Sequence, residues 1–227
     1  MIPLRDANPS RRVPIVTYLI ISLCVLAFFF ELLQGPGLRA FLFQYGIVPV
    51  RYTRLDVAAH FTVWEQAIPF LTTLFLHGGW MHLIGNMWVL HIFGDNVEGA
   101  LGHGRFALFY LLSGLAASVL HLVTNVHSAV PTIGASGAIA GVMGAYFVLY
   151  PRARVLTLVP IFFFFTLVEI PAYVFLGFWF VLQFFSGAFS LAGGQVQAGG
   201  VAWWAHVGGF VAGIFLLRIL RPARRFA

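Results

Sequence analysis

The sequence predicts an all-α polytopic membrane protein with six transmembrane helices, and three observations lead to this fold class. Of its 227 residues, 60% are apolar and only 9% are charged, which is more apolar surface than a water-soluble domain carries. Apolar runs long enough to approach or cross a bilayer recur along the chain. The 13 basic residues are all arginine and flank these runs as orientation signals do, so the net charge of +6 predicts no nucleic-acid partner.

The first third of the chain holds one predicted span and one long loop. Residues 1–12 carry three arginines and are expected to form a tail. The apolar run at 13–33 has 21 residues, too many for the core of a cleaved signal peptide, so it predicts a retained first span. Segment 34–79 mixes arginines, carboxylates, aromatic residues and prolines, and it is expected to lie at the membrane interface.

Five further spans are predicted, so that the membrane domain covers residues 13–220. These spans lie at about 80–97, 105–124, 136–150, 171–189 and 201–220. Residues 155–170 are expected to form an interfacial lead-in to the fifth span. Residues 221–227 are expected to form a C-terminal tail.

Arginine placement predicts the orientation in the membrane. Ten of the 13 arginines fall on the side of the two termini, so the positive-inside rule places both tails in the cytoplasm. The chain shows no appended soluble domain, and this simplicity suggests a bacterial plasma membrane.

The residues that indicate chemistry begin at the fourth predicted span. Ser136 stands at the head of a 15-residue apolar run that ends before Pro151. Such a run covers about 22 Å of a hydrocarbon layer of about 30 Å, so Ser136 is expected below the membrane surface. Non-helical backbone is tolerated at that depth only inside protein or beside a water-filled cavity. The alternative is that the small residues around Ser136 form only a helix-packing face.

Other polar residues are predicted at the same depth, because the second, fourth and sixth spans start from the same face. His82 and Asn86 are four residues apart near the head of the second span, and therefore share a helix face. His206 lies near the head of the sixth span, on one face with two glycines. If the small-residue faces meet, Ser136 and His206 come within hydrogen-bond range.

This set of side chains suits acyl transfer. A serine hydroxyl becomes a good nucleophile when a base such as His206 takes its proton. The oxyanion that forms needs fixed donors, which Asn86, His82 and the Ser136 amide could supply. No carboxylate is expected beside His206, so the pattern predicts a Ser–His dyad. The lone Cys24 and the absence of a His-Glu-x-x-His motif predict no metal site, and no cofactor is expected.

Four motifs, taken in order along the chain, resemble those of the rhomboid intramembrane serine proteases. They are His82-x-x-x-Asn86, Gly94-x-x-x-Glu98-x-x-x-Gly102-x-x-x-Phe106, Gly134-Ala-Ser136-Gly137 and Ala205-His206-x-x-Gly209-x-x-x-Gly213. The resemblance covers about residues 65–220. It implies a six-helix rhomboid core and substrates that are membrane proteins cut within or beside a transmembrane segment. It assigns structural roles to Gly134, Gly137, Gly209, Gly213 and Glu98.

Two positions depart from the family pattern. The Trp-Arg pair that many members carry in the first long loop falls at Ile68-Pro69, so this loop must be anchored differently. Some members stack an aromatic ring on the histidine from the position four after the serine, which here is Ala140. His206 is therefore expected to be held less rigidly.

Two other function classes stay open. A rhomboid-like protein without activity would bind membrane clients instead of cutting them, and the presence of both Ser136 and His206 argues against that class. A small-molecule transporter would carry charges at membrane depth. Such charges are nearly absent from the outer halves of the predicted spans.

Overall fold

The structure is a computed structural model that describes residues 1–10, 12–192 and 201–222. The helices are α1 (Ile15–Leu32), α2 (Leu38–Tyr45), α3 (Val50–Thr53), α4 (Leu55–Ala58), α5 (Val63–Ala67), α6 (Pro69–Thr72), α7 (Trp80–Leu101), α8 (His103–Thr124), α9 (Ser136–Leu149), α10 (Ala172–Ala192) and α11 (Trp203–Leu220). The strands are β1 (Ile2–Asp6), β2 (Arg154–Ile161) and β3 (Phe164–Pro171). Most of the predicted tail at 221–227 lies outside the described residues.

The long helices confirm the predicted class of a mostly helical, integral membrane protein. Within the described residues, four helices are long and apolar enough to cross a membrane, namely α1, α8, α10 and α11. Helix α9 is apolar but has only 14 residues, and α7 has 22 residues with Asp95 and Glu98 in its second half. Each predicted span coincides with one of these six helices, while the count of six membrane crossings stays a prediction.

Helix α9 lies at the centre of the bundle. All residues from Gly137 to Tyr146 are buried, and the helix packs against α7, α8 and α11. Only glycine allows α11 to come so close: a Cβ added to Gly209 would lie 1.9 Å from the carbonyl oxygen of Gly137. A Cβ on Gly213 would lie 2.1 Å from the carbonyl oxygen of Gly141. The small residues around Ser136 therefore form a packing face, as such stripes do in membrane helices.

Glu98 caps a helix that has no cap of its own. Helix α1 begins after Pro14, which provides no side-chain cap. The buried carboxylate of Glu98 accepts hydrogen bonds from the N–H groups of Val16 and Thr17 at 2.9 and 2.8 Å and from the Thr17 hydroxyl at 2.7 Å. These N–H groups belong to the first turn of α1 and have no acceptor within it.

Glu98 also pairs with a side chain at the start of α8, and that side chain is not Arg105. Its side-chain partner on α8 is His103, whose Nδ1 lies 2.5 Å from the carboxylate. His103 is the first residue of α8, directly after the Gly102 turn, and so it faces Glu98, while Arg105 is exposed.

Arg51 anchors the long loop between α1 and α7. Its buried guanidinium donates to the carbonyl oxygens of Phe43, Gln44 and Glu65 at 2.7–3.0 Å. It also lies 4.0 Å from the ring centroid of Phe61, a cation–π contact. Arg51 thus provides the different anchor that the missing Trp-Arg pair requires.

Residues 155–170, the predicted lead-in to the fifth span, form most of a hairpin that ends directly before α10, and their position at the membrane interface stays a prediction. Strands β2 and β3 pair antiparallel, with Val155 opposite Ile170. Val155 and Thr157 are fully buried, and this alternation with more exposed neighbours suits a half-buried strand.

The predicted N-terminal tail contains the third strand of this sheet. Strand β1 pairs antiparallel with β2, and Ile2 lies opposite Leu158. The Trp88 indole N–H on α7 donates to the Pro3 carbonyl oxygen at 2.6 Å. The first residues of the chain therefore lie along α7.

Candidate active site

Ser136 is the first residue of α9. The N–H groups of a first helical turn have no acceptor within the helix, so the start of α9 presents donors beside the Ser136 hydroxyl. Gly134 leads into this turn at φ +129°, a conformation that favours glycine. A Cβ there would lie 2.8 Å from the His82 ring, so glycine is also needed for space.

The structure brings Ser136 and His206 together. His206 Nε2 on α11 lies 2.8 Å from Ser136 Oγ on α9, within hydrogen-bond range. The two side chains are 70 residues apart in the chain. They meet because the backbone at Gly209, one turn after His206, is in close contact with the backbone at Gly137, the residue after Ser136.

The other nitrogen of the His206 ring has a partner that the sequence analysis missed. The Gln183 side-chain oxygen on α10 lies 2.6 Å from His206 Nδ1. The dyad prediction considered only carboxylates, and no carboxylate in the described parts of the chain bonds to His206. The sequence did contain one signal for Gln183, because it is the single amide side chain in a strongly apolar helix. A polar group in such a helix needs a hydrogen-bond partner.

An aromatic ring does pack against His206, but it comes from α10. The centroid of the Trp179 ring lies 5.6 Å from that of the imidazole, at an interplanar angle of 37°. Trp179 and Gln183 are one turn apart, so α10 contacts the ring through both side chains. The aromatic contact that Ala140 cannot supply thus comes from Trp179, while the rigidity of His206 stays a prediction.

His82 and Asn86 lie beside the serine, as their spacing predicts. The N–H of Gly78 donates to His82 Nδ1 at 3.3 Å, so in the neutral ring the hydrogen is on Nε2, which lies next to Gly134. The buried Asn86 Nδ2 has no hydrogen-bond partner among the described residues. An unpaired buried donor costs about 1–3 kcal/mol, and such a donor is free to bind an oxygen of a ligand.

Two cavities meet at these residues. One has a volume of about 630 Å³ and is bounded by the loop at 130–133. The other, of about 310 Å³, extends between α7 and α10 and is lined by Trp179 and the N-terminal residues. Ser136, His206 and Asn86 line both cavities, so a chain passing between them would touch all three.

The described residues contain no group of three His, Cys, Asp or Glu side chains that could hold a metal ion. The candidate site contains a hydroxyl, an imidazole and nearby N–H donors. Such a set can activate the hydroxyl and hold a developing oxyanion.

Fold and site define a helical membrane protein with a serine and a histidine hydrogen-bonded where two cavities join. The chain belongs to the rhomboid family, because the family model of the Rhomboid domain matches residues 60–223.

Three relatives illustrate the similarity. The chain is 30% identical over 189 residues to Rhomboid protein 1, mitochondrial, of Saccharomyces cerevisiae, an alignment that covers 82% of this chain and 48% of that protein. It is 34% identical over 132 residues to the Rhomboid protease GluP of Bacillus subtilis, covering 58% and 24%. It is 32% identical over 136 residues to the Putative rhomboid protease YdcA of Bacillus subtilis, covering 60% and 62%. The chain thus spans between about a quarter and three fifths of the length of these relatives.

Proposed function

We propose that this protein is an intramembrane serine endopeptidase that cuts membrane proteins within or beside a transmembrane segment. The observation that carries the proposal is the 2.8 Å contact between Ser136 Oγ and His206 Nε2 at the junction of two cavities. Membership of a family with relatives named as proteases supports it.

The reaction follows from this pair. Ser136 Oγ attacks the carbonyl carbon of the substrate peptide while His206 Nε2 takes the hydroxyl proton. The tetrahedral intermediate collapses when His206 returns that proton to the leaving amine, and an acyl-enzyme on Ser136 remains. Water then attacks the ester with His206 again as the base, which releases the second product and restores the hydroxyl.

The oxyanion of the intermediate needs donors that are already in place. Asn86 Nδ2, His82 Nε2–H and the Ser136 backbone N–H all lie around the serine. In this assignment Asn86 and His82 are oxyanion donors, and loss of one such donor typically lowers the rate about 10²–10³-fold.

The orientation that we propose places both termini in the cytoplasm and the site near the opposite face. The arginine distribution supports this orientation. The distribution is more uneven when only exposed arginines are counted. Arg51 is fully buried as a loop anchor, which leaves Arg39 and Arg54 as the exposed arginines on the side of the site. A bacterial plasma membrane is the location we propose.

Reconstitution with a single-span substrate in lipid vesicles tests the proposal. Ser136→Ala and His206→Ala should each abolish cleavage, because one removes the nucleophile and the other the base. The matched controls are Ser10→Ala and His127→Ala, which change exposed residues that line neither of the two cavities, and both variants should cut at the wild-type rate. Cleavage by Ser136→Ala at the wild-type rate would end the proposal.

A fluorophosphonate probe separates this function from its main alternative. The wild-type protein should form an adduct on Ser136 that requires His206. A non-cleaving rhomboid-like protein would retain a membrane client without cutting it and would form no such adduct.

A further inference from the structure

Helix α10 contacts the ring of His206 with two side chains. Gln183 Oε1 lies 2.6 Å from Nδ1, and the Gln183 side chain is only 8% exposed. Trp179, one turn earlier, packs against the same ring. We propose that Gln183 is a positioning residue that sets the tautomer of His206, so that the site is complete only when α10 is in place. The catalytic part of this inference rests on the proposed protease function.

The tautomer follows from what an amide oxygen can do. A carbonyl oxygen only accepts hydrogen bonds, so the Nδ1 that faces it must carry the ring hydrogen. In the neutral imidazole, Nε2 is then the acceptor, and it points at the Ser136 hydroxyl. The opposite tautomer would place a hydrogen on Nε2 and leave the serine proton without an acceptor.

The same contact matters after proton transfer. When His206 has taken the serine proton, both ring nitrogens are donors. Nδ1–H then donates to Gln183, and Nε2–H faces the reacting oxygen. The amide dipole therefore continues to support the charged ring during the step.

A neutral amide suits this position better than a carboxylate. A buried carboxylate pays a large desolvation penalty, which is severe in a membrane-embedded helix. Gln183 supplies the acceptor without introducing a charge.

Helix α10 places these two residues on its narrow buried face. Its other sides are largely exposed, with Phe178, Val181, Leu182 and Phe185 between 46 and 54% exposed. Few side chains therefore determine how α10 sits against α11. A displacement of α10 would remove both contacts of the imidazole together.

The alternative is that Gln183 has only a packing role between α10 and α11. Two substitutions distinguish the positioning role from the packing role. Gln183→Leu keeps a side chain of similar size but removes the acceptor, whereas Gln183→Glu keeps an acceptor oxygen in the same place. Leu182→Ala changes the neighbouring exposed residue and serves as the control.

The first measurement does not depend on activity. Nitrogen NMR of isotope-labelled histidine in the full chain reports which nitrogen of His206 carries the hydrogen. We expect the Nδ1–H form in the wild type and in Leu182→Ala, and a mixture of forms in Gln183→Leu. An Nε2–H form in the wild type would overturn the inference without any variant.

The second measurement is cleavage of the reconstituted substrate. Gln183→Leu should lower kcat about tenfold or more, as expected for loss of a buried hydrogen bond, with KM unchanged. Gln183→Glu should retain most of kcat in the folded protein, because a carboxyl kept neutral by burial still offers an acceptor oxygen to Nδ1. Equal losses in Gln183→Leu and Gln183→Glu, or no loss in Gln183→Leu, would overturn the positioning role.

The two proposals fail in different ways. If the wild-type protein neither cuts the substrate nor reacts with the probe, yet shows the Nδ1–H form of His206, the proposed protease function is refuted. The tautomer assignment would then still hold. An active wild type with an unaffected Gln183→Leu variant would remove only the role of Gln183.

Discussion

Gly209→Ala tests whether the contact between α9 and α11 sets the geometry of the site. The added Cβ would lie 1.9 Å from the Gly137 carbonyl oxygen, where ordinary contact begins near 3.4 Å. Neither partner can rotate away, because the obstacle is backbone. The helices must therefore separate by about 1.5 Å at this level.

This separation affects both stability and the serine–histidine contact. Overpacking a well-packed interface costs about 1–3 kcal/mol, and a backbone clash lies at or above the upper end. His206 lies one turn from Gly209 on the same helix, so it should be displaced from α9 by most of the same distance. Adding even 1 Å to the present 2.8 Å between Ser136 Oγ and His206 Nε2 takes the pair out of hydrogen-bond range.

Two assays on detergent-solubilised protein measure these effects. The free energy of unfolding, from SDS titration, should fall by about 3 kcal/mol, and fluorophosphonate labelling of Ser136 should be lost in the fraction that remains folded. Gly99→Ala is the control, because a Cβ there meets nothing within 4 Å. A Gly209→Ala protein with wild-type stability and labelling would refute the reasoning.

Two further predictions concern buried polar groups. Glu98→Gln should lower the free energy of unfolding by about 3 kcal/mol, because a charged acceptor of two helix N–H groups becomes a neutral amide. Glu169→Gln, at an exposed ion pair with Arg154, should change it by less than about 1 kcal/mol, and equal effects would contradict the capping role. Burial, with a further contribution from nearby His82, lowers the pKa of His77 from 6.5 to about 4. The unfolded chain therefore binds this proton more tightly, and the contribution of His77 to stability should fall as the pH is lowered from about 6.5 to about 4. Unfolding midpoints across this range should depend less on pH in His77→Gln, and an unchanged slope would rule out His77 as the cause.

Some features escaped sequence reasoning because they depend on distant partners. The hairpin at 154–171 is as apolar as a membrane segment, and its strand partner β1 is about 150 residues earlier in the chain. Gln183 carries no motif that links it to His206, 23 residues later. Arg51 was counted as an orientation signal in the sequence, but the structure shows it buried among the loop carbonyl oxygens to which it donates.

The sequence by itself determined the helical membrane class, the six apolar helices and the placement of Ser136, His206, His82 and Asn86 near the heads of their helices. It could do so because hydrocarbon imposes a minimum helix length and helical spacing places residues on faces. Only the tertiary structure decided which groups touch: glycine backbones set the distance between α9 and α11, and α10 places an amide on the imidazole. These contacts depend on ångström-scale packing between helices, which periodicity and composition do not encode.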